Sequence, residues 1–151
     1  IRQIDEKHNL TLVCRDLSDL SSYANVDNVA YRLIKNNTPG PYTFILQATR
    51  EVPRRLLHPK RRTIGLRVLG NPIASAILAA LGEPMLSTSL IMPNDEQPLS
   101  DPDDIRDRLE HELDLVIDGG FCGVEESTII NLLDGAPEVV RVGMGDPSPF
   151  Q

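Results

Sequence analysis

Three residues, Pro39-Gly40-Pro41, constrain this chain more than any others. Two prolines fix φ and carry no amide hydrogen, and the glycine between them reaches backbone angles barred to other residues, so no helix survives that spacing. The stretch from Asn36 to Leu46 therefore reads as a turn feeding a strand, because Tyr42 to Leu46 is aromatic and β-branched with Thr43 as its one polar residue. A hydroxyl is thus expected where the chain leaves the loop, the place where α/β proteins commonly hold ligands.

The rest of the chain alternates between strand and helix signals. Leu10 to Cys14 is a short apolar strand, and Asp16 and Ser18 cap a brief helical turn ending near Tyr23. Asp27 caps a second helix in which Val29, Ala30, Leu33 and Ile34 recur at helical spacing. Beyond the strand from Tyr42, Pro53 opens at most one helical turn with Leu56 and Leu57 turned inward, and Thr63 to Val68 is a further strand. Gly65 in the middle of that strand marks a bulge or a close approach by another group. Asn71-Pro72 starts an apolar helix ending at Leu81-Gly82, of the kind that packs on a sheet.

Met85 to Leu90 and Leu113 to Asp118 are strand candidates, Asp101 to Asp104 opens an acidic helix, and Asp134-Gly135 joins a hairpin of 127–133 and 137–142. Residues 147–151 read as a tether. The expectation is one α/β domain over 1–146, a twisted open mixed sheet with flanking helices. Gly119-Gly120 with Gly123 does not make the Gly-x-Gly-x-x-Gly spacing, so no Rossmann or P-loop reading follows.

Charge is more telling in its distribution than in its sum. The net charge of -7 argues against a protein that coats nucleic acid indiscriminately. Arg50, Arg54, Arg55, Lys60, Arg61, Arg62 and Arg67 nevertheless share one short segment with Glu51 as its only acid, which predicts a basic face. The segment from Asp95 to Asp114 is as strongly acidic and predicts a solvated face. Cys14 and Cys122 form no Cys-x-x-Cys pair and are expected as buried free thiols. His8, His58 and His111 lack metal-ligand spacing, so no protein-built metal site is expected, leaving Mg carried on a nucleotide as the metal route. No apolar run reaches the ~18 residues of a membrane span, and cytoplasm is the default compartment. The chain opens on Ile1 in charged sequence, which reads as an amino-terminally incomplete domain.

Hydroxyl and guanidinium groups recur at strand positions: Thr43, Arg67, Ser87, Ser89, Ser127 and Arg141. Without paired catalytic carboxylates or a Gly-x-Ser-x-Gly elbow, this set suits a polyanion, since Arg makes bidentate charge-assisted bonds to phosphate while hydroxyls orient it. A nucleotide pocket is the expectation, rather than a hydrolase. Five segments in order, Pro39-Gly-Pro-Tyr-Thr-Phe-Ile-Leu46, Thr63-Ile-Gly-Leu-Arg-Val68, Pro84-Met-Leu-Ser-Thr-Ser89, Ser127-Thr-Ile-Ile130 and Val140-Arg-Val-Gly143, resemble the YrdC/YciO family of threonylcarbamoyl-adenylate synthase-like proteins, closest to its YciO branch.

The resemblance implies a YrdC/RibB-like fold with a concave basic surface suited to double-stranded RNA or tRNA. It also implies, in the synthase members, formation of threonylcarbamoyl-adenylate and pyrophosphate from ATP, bicarbonate and threonine for tRNA modification. Carried over by position, Arg2, Thr43, Arg67, Ser87, Ser89, Ser127 and Arg141 would line the nucleotide and threonine site, with Arg54, Arg55, Lys60, Arg61 and Arg62 as the RNA face. Two positions depart from the family pattern. Arg2-Gln3-Ile4 stands where the synthases carry Lys-x-Arg, and Ser89-Leu90-Ile91 where they carry Ser-Ala-Asn. Three functions stay open on these residues: a synthase-like nucleotidyltransferase, a non-catalytic RNA-binding paralogue, and a nucleotide-dependent enzyme with another carbamoyl or acyl substrate.

Overall fold

The computed structural model describes residues 1, 3 and 10–151. They form two compact units, a smaller one centred on Ser89–Glu125 and a larger one that holds the sheet, residues 10–88 and 126–151.

In the larger unit β1 (Thr11–Cys14) leads into α1 (Leu17–Tyr23) and α2 (Asn28–Asn37), and the turn through Pro39 delivers β2 (Tyr42–Gln47). A 3-10 turn, Arg54–Leu56, then precedes β3 (Thr63–Val68), α3 (Pro72–Leu81) and β4 (Met85–Ser87). Past the smaller unit, with its α4 (Pro102–Leu109), come β5 (Thr128–Asn131), β6 (Glu138–Arg141) and a closing 3-10 turn, Ser148–Phe150. The helix starts follow from their caps: Asp16 accepts from the Asp19 amide, Asp27 from Ala30, and Asn71 from both Ile73 and Ala74.

The six strands form one mixed sheet in the order β4-β1-β3-β2-β5-β6. Pairs β1–β3 and β2–β5 are parallel, and β1–β4, β2–β3 and β5–β6 are antiparallel. The α/β class and the terminal hairpin are as expected. Period-two alternation divides each strand between two faces. One face carries Leu12, Cys14, Tyr42, Phe44, Leu46, Ile64, Leu66, Val68 and Ile130, which with Leu20, Ala30 and Ile34 from α1 and α2 make the core. Full burial of a side chain such as Phe44 contributes roughly 2–3 kcal/mol.

The opposite face holds Thr11, Val13, Thr43, Ile45, Gly65 and Arg67, and it positions the site.

Several expectations are corrected. Residues 147–151 are no tether: Phe150 is buried, its ring 5.4 Å from Tyr42 and 6.0 Å from Phe44, and the Tyr42 hydroxyl donates to the Asp146 carbonyl at 3.1 Å. One aromatic side chain outweighs the two prolines that made this segment look loose. Gly40 is needed for space rather than for φ, since a Cβ there would lie 2.7 Å from the Asn37 carbonyl. In α3 only Leu78 is fully buried, while Ile73 and Leu81 are exposed, so most of its apolar surface meets no sheet among the described residues. Val29 of α2 likewise points outward, because one turn of that helix spans more arc than the core contacts. Within the smaller unit, 113–118 forms no strand, and Leu115 and Ile117 are exposed: the alternation is present, but no neighbour supplies a ladder among the described residues. Strand β4 stops at Ser87, short of the expected Leu90.

Cys14 is buried, and desolvation followed by Asp19 and Asp16 pushes its thiol up to about 12, so it is inert as a nucleophile. Cys122 is exposed instead of buried.

Candidate anion-binding face

The register of the sheet aligns the site. Met85 pairs with Val13, Val13 with Arg67, Thr43 with Ile129, and Ile129 with Arg141. Continuing β2–β3 one step past Phe44–Leu66 brings Thr43 beside Arg67. One transverse row therefore runs Val13, Arg67, Thr43, Ile129, Arg141. The neighbouring row runs Ser87, Thr11, Gly65, Ile45, Asn131. Of the seven residues expected in the pocket, Thr43, Arg67, Ser87, Ser127 and Arg141 share this one face. Ser89 is exposed and belongs to the smaller unit. Arg2, together with Ile4 of the departing motif, lies outside the described residues.

A β-bulge brings Arg141 into the row. Ile130 pairs with Val139 but Ile129 with Arg141, so Val140 is the extra residue. Regular alternation would put Val139 and Arg141 on one face. The bulge lets Val139 pack against the core while Arg141 faces the other way.

The polar groups are held tightly. Thr43 Oγ1 and Ser127 Oγ lie 2.7 Å apart, both side chains buried. Arg141 donates from Nε and Nη2 to the Ser127 carbonyl at 3.2 and 2.8 Å, and from Nη1 to Glu126 Oε2 at 2.6 Å. Thr128, turned to the core, fixes the loop after β6: its hydroxyl donates to the Gly145 carbonyl at 2.6 Å and accepts from the Gly143 amide at 2.9 Å. Gly65 leaves the floor of the face open, because a Cβ there would stand 3.2 Å from both Thr11 Oγ1 and Thr43 Cγ2. The alternative reading of Gly65 as a bulge does not hold, since its pairing is regular on both sides.

Arg67 differs from the rest. Its Nε is buried and has no hydrogen-bond partner among the described residues. Burial, and then the positive charge of Arg141, lower its guanidinium below the usual arginine range. A buried, unsatisfied cationic donor with a second cation nearby is costly unless an anion completes it. The chemistry that fits is phosphate or carboxylate binding with hydroxyls to orient it. No group of three or more His, Cys, Asp or Glu that could hold a metal occurs among the described residues.

Sequence reasoning missed three members. Thr11 flanks Gly65 and pairs with Ser87, and its signal was alternation two residues before Val13. Thr63, buried on this face, had the same signal. Glu126, the acid on Arg141, had none, because that contact depends on the bulge.

The basic residues stand elsewhere on the same hairpin. Arg54, Arg55, Lys60, Arg61 and Arg62 are all exposed in the loop between Gln47 and Thr63, the end of β2–β3 opposite Thr43 and Arg67. Among the described residues none of the five makes a salt bridge. The acidic α4 does pair its charges, Arg106 with Asp103 at 2.6 Å and Arg108 with Asp104 at 2.9 Å. No helix among the described residues is long and apolar enough to cross a membrane.

Similarity to known proteins extends over nearly the whole chain. The family model Sua5_yciO_yrdC, described as telomere recombination, matches residues 1–143. The chain is 63% identical over 150 residues to the uncharacterized protein YciO of Escherichia coli (strain K12), covering 99% of this chain and 73% of that one. The crystal structure of E. coli YciO superposes with a TM-score of 0.94 at 62% identity, over 100% of this chain and 73% of that chain. More distantly, a threonylcarbamoyl-AMP synthase of Halorhodospira halophila (strain DSM 244 / SL1) is 29% identical over 126 residues, 83% of this chain and 65% of that protein. P. abyssi Sua5 complexed with L-threonine shares the fold, with a TM-score of 0.82 at 23% identity over 92% of this chain and 41% of that one.

Proposed function

Because the chain belongs to the Sua5–YciO–YrdC family, we propose that it binds a nucleotide, ATP with Mg, on the face formed by Thr43, Arg67, Ser127 and Arg141. The observation that carries this reading is the buried Nε of Arg67, without a hydrogen-bond partner among the described residues and beside a second arginine. A phosphate oxygen satisfies that donor and offsets the Arg67 charge, while the Thr43–Ser127 hydroxyl pair orients it. Bound Mg would neutralise phosphate charge. The chain's own residues align the α-phosphate, which suits adenylate transfer to a carbamate without a protein nucleophile.

The departures at Ile4 and at Leu90-Ile91 remove a cation and an amide that the synthases use, so binding and turnover are separate questions for this chain. The full-length protein titrated calorimetrically with ATP and Mg, with and without threonine and bicarbonate, tests the first. Micromolar ATP affinity, strengthened by threonine, is the expected result, and absence of nucleotide binding overturns the reading. Threonine-dependent release of pyrophosphate tests the second, and its absence leaves binding without synthesis, as in a non-catalytic paralogue or an enzyme of another carbamoyl or acyl substrate.

A second reading has its own observation. The five exposed cations of the β2–β3 loop, none in a salt bridge among the described residues, favour contact with the phosphate backbone of tRNA or duplex RNA. Salt-sensitive RNA binding that weakens when these residues become alanine tests it, and affinity indifferent to them removes it.

A further inference from the structure

Within the β2–β3 loop, Arg54, Leu57, His58, Pro59 and Arg62 line a cavity of about 270 Å³. We propose that this cavity is a discrete phosphoryl-group site, one that seats a single backbone phosphate of RNA, distinct from the nucleotide face at the other end of the hairpin. The site stands on its own geometry, and the identity of its ligand rests on the RNA-binding reading above.

The loop is built rather than slack. The His58 amide donates to the Thr63 carbonyl at 3.1 Å, the Arg62 amide to the His58 carbonyl at 2.9 Å, and the Ala48 amide to the Arg62 carbonyl at 3.1 Å. Gln47 Nε2 adds bonds to the carbonyls of Arg61 and Arg62, both at 3.3 Å. His58 is itself oriented from below, because its Nδ1 accepts from the amides of Lys60 and Arg61, both at 3.3 Å. A ring nitrogen accepts only when it carries no proton, so the ring proton sits on Nε2 and is left as a donor. His58 and two arginines, Arg54 and Arg62, thus line one cavity, residues whose side chains carry the donors a tetrahedral oxyanion takes. Among the described residues no carboxylate lines it.

Arg62 supplies a second, independent sign. Its φ is 54°, a left-handed conformation that asparagine or glycine takes at less strain than a long side chain. Strained non-glycine residues concentrate at binding sites, where the side chain is what the strain retains. The position also yields a clean variant, since Arg62→Gly deletes the guanidinium and suits the backbone.

The test uses nuclear magnetic resonance on the ring nitrogens of His58 together with RNA affinity. The probes are inorganic phosphate and a short RNA duplex, applied to the wild-type chain and to the R54A/R62G variant. The expected result is an Nε2–H tautomer whose signal shifts saturably with either probe. Both responses should vanish in the double variant, with duplex affinity falling about tenfold for R62G alone. A His58 signal that neither probe moves, or one that still saturates in the double variant, overturns the site. If phosphate saturates His58 but duplex RNA does not bind, the pocket stands with a free phosphoryl ligand and the RNA reading falls. If R55A/K60A/R61A weakens duplex binding while R54A/R62G leaves it unchanged, the RNA reading stands and the pocket falls.

Discussion

The two ends of the β2–β3 hairpin use arginine in opposite ways. At one end Arg67 points from a regular strand position into a buried row, its Nε unsatisfied among the described residues and a like charge for company. At the other, Arg54, Arg55, Arg61 and Arg62 stand in water on a loop, where each charge is cheap to keep and weak on its own. A desolvated guanidinium costs stability and returns strong, geometrically selective binding of one anion. Solvated ones cost little and sum to a salt-dependent attraction for a chain of anions. One hairpin therefore presents a desolvated guanidinium at one end and a group of solvated ones at the other.

The sharpest way to break this contrast is to strip each end in turn. Replacing Arg54, Arg55, Arg61 and Arg62 together by alanine should lower duplex RNA affinity about a hundredfold or more. It should also reduce the slope of log affinity against log salt by about 3–4, roughly one per lost phosphate contact. ATP affinity should stay as it was, and melting temperature should hardly move, because exposed charges contribute little to the fold. Loss of ATP binding in this variant would show that the two ends are one site.

Arg67→Ala makes the complementary cut. ATP affinity should fall by about a hundredfold, the worth of charge-assisted bonds to phosphate in a partly desolvated place, while RNA binding is retained. Arg67→Met separates binding from folding: it keeps the side-chain volume, removes the unsatisfied donor, and should raise unfolding free energy by about 1–2 kcal/mol in urea titration. A less stable Met variant would mean that Arg67 is satisfied in solution by a group of the protein.

Alternation in the sequence makes most of this arrangement legible. Thr43 and Arg67 lie on strands with clean apolar alternation, Tyr42-Phe44-Leu46 and Ile64-Leu66-Val68, so their sharing the opposite face follows from the pleat. Arg141 was legible as a residue but not as a direction, because a period-two reading of Val139-Val140-Arg141 turns it toward the core, and only the bulge at Val140 reverses it. Phe150 was misread because local proline content says nothing about a long-range aromatic contact. Leu113 to Asp118 shows the converse limit: a strand pattern states a preference, and pairing depends on a neighbour that the pattern does not contain. His58 gave no metal signal, and its role as a turn-holding acceptor depends on two amides that no spacing rule describes.

Gly65→Ala probes the floor between Thr11 and Thr43. The new methyl group must displace a threonine on each side by a few tenths of an ångström, at a cost of about 1–2 kcal/mol of stability. It also narrows the space in front of Arg67, so ATP affinity should drop about tenfold with RNA binding unchanged. Equal losses at both ends would indicate a general slackening of the hairpin, and a backbone exchange measurement on β2 and β3 would tell the two apart.

The smallest expected effect concerns Glu126, and its sign carries the information. This acid sits 2.6 Å from Arg141 Nη1, with both side chains more than a third exposed, so the pair itself contributes under ~1 kcal/mol to stability. For ligand binding the carboxylate acts in two opposed ways: it holds the guanidinium in place and it cancels the charge an anion would meet. Arg141 keeps two bonds to the Ser127 carbonyl without Glu126, so its orientation should survive the loss of the acid. Glu126→Gln should therefore tighten ATP binding about threefold at low salt, with the gain fading as salt is added. Weaker binding in the Gln variant would mean that the carboxylate aims Arg141 and that the carbonyl bonds alone leave it loose.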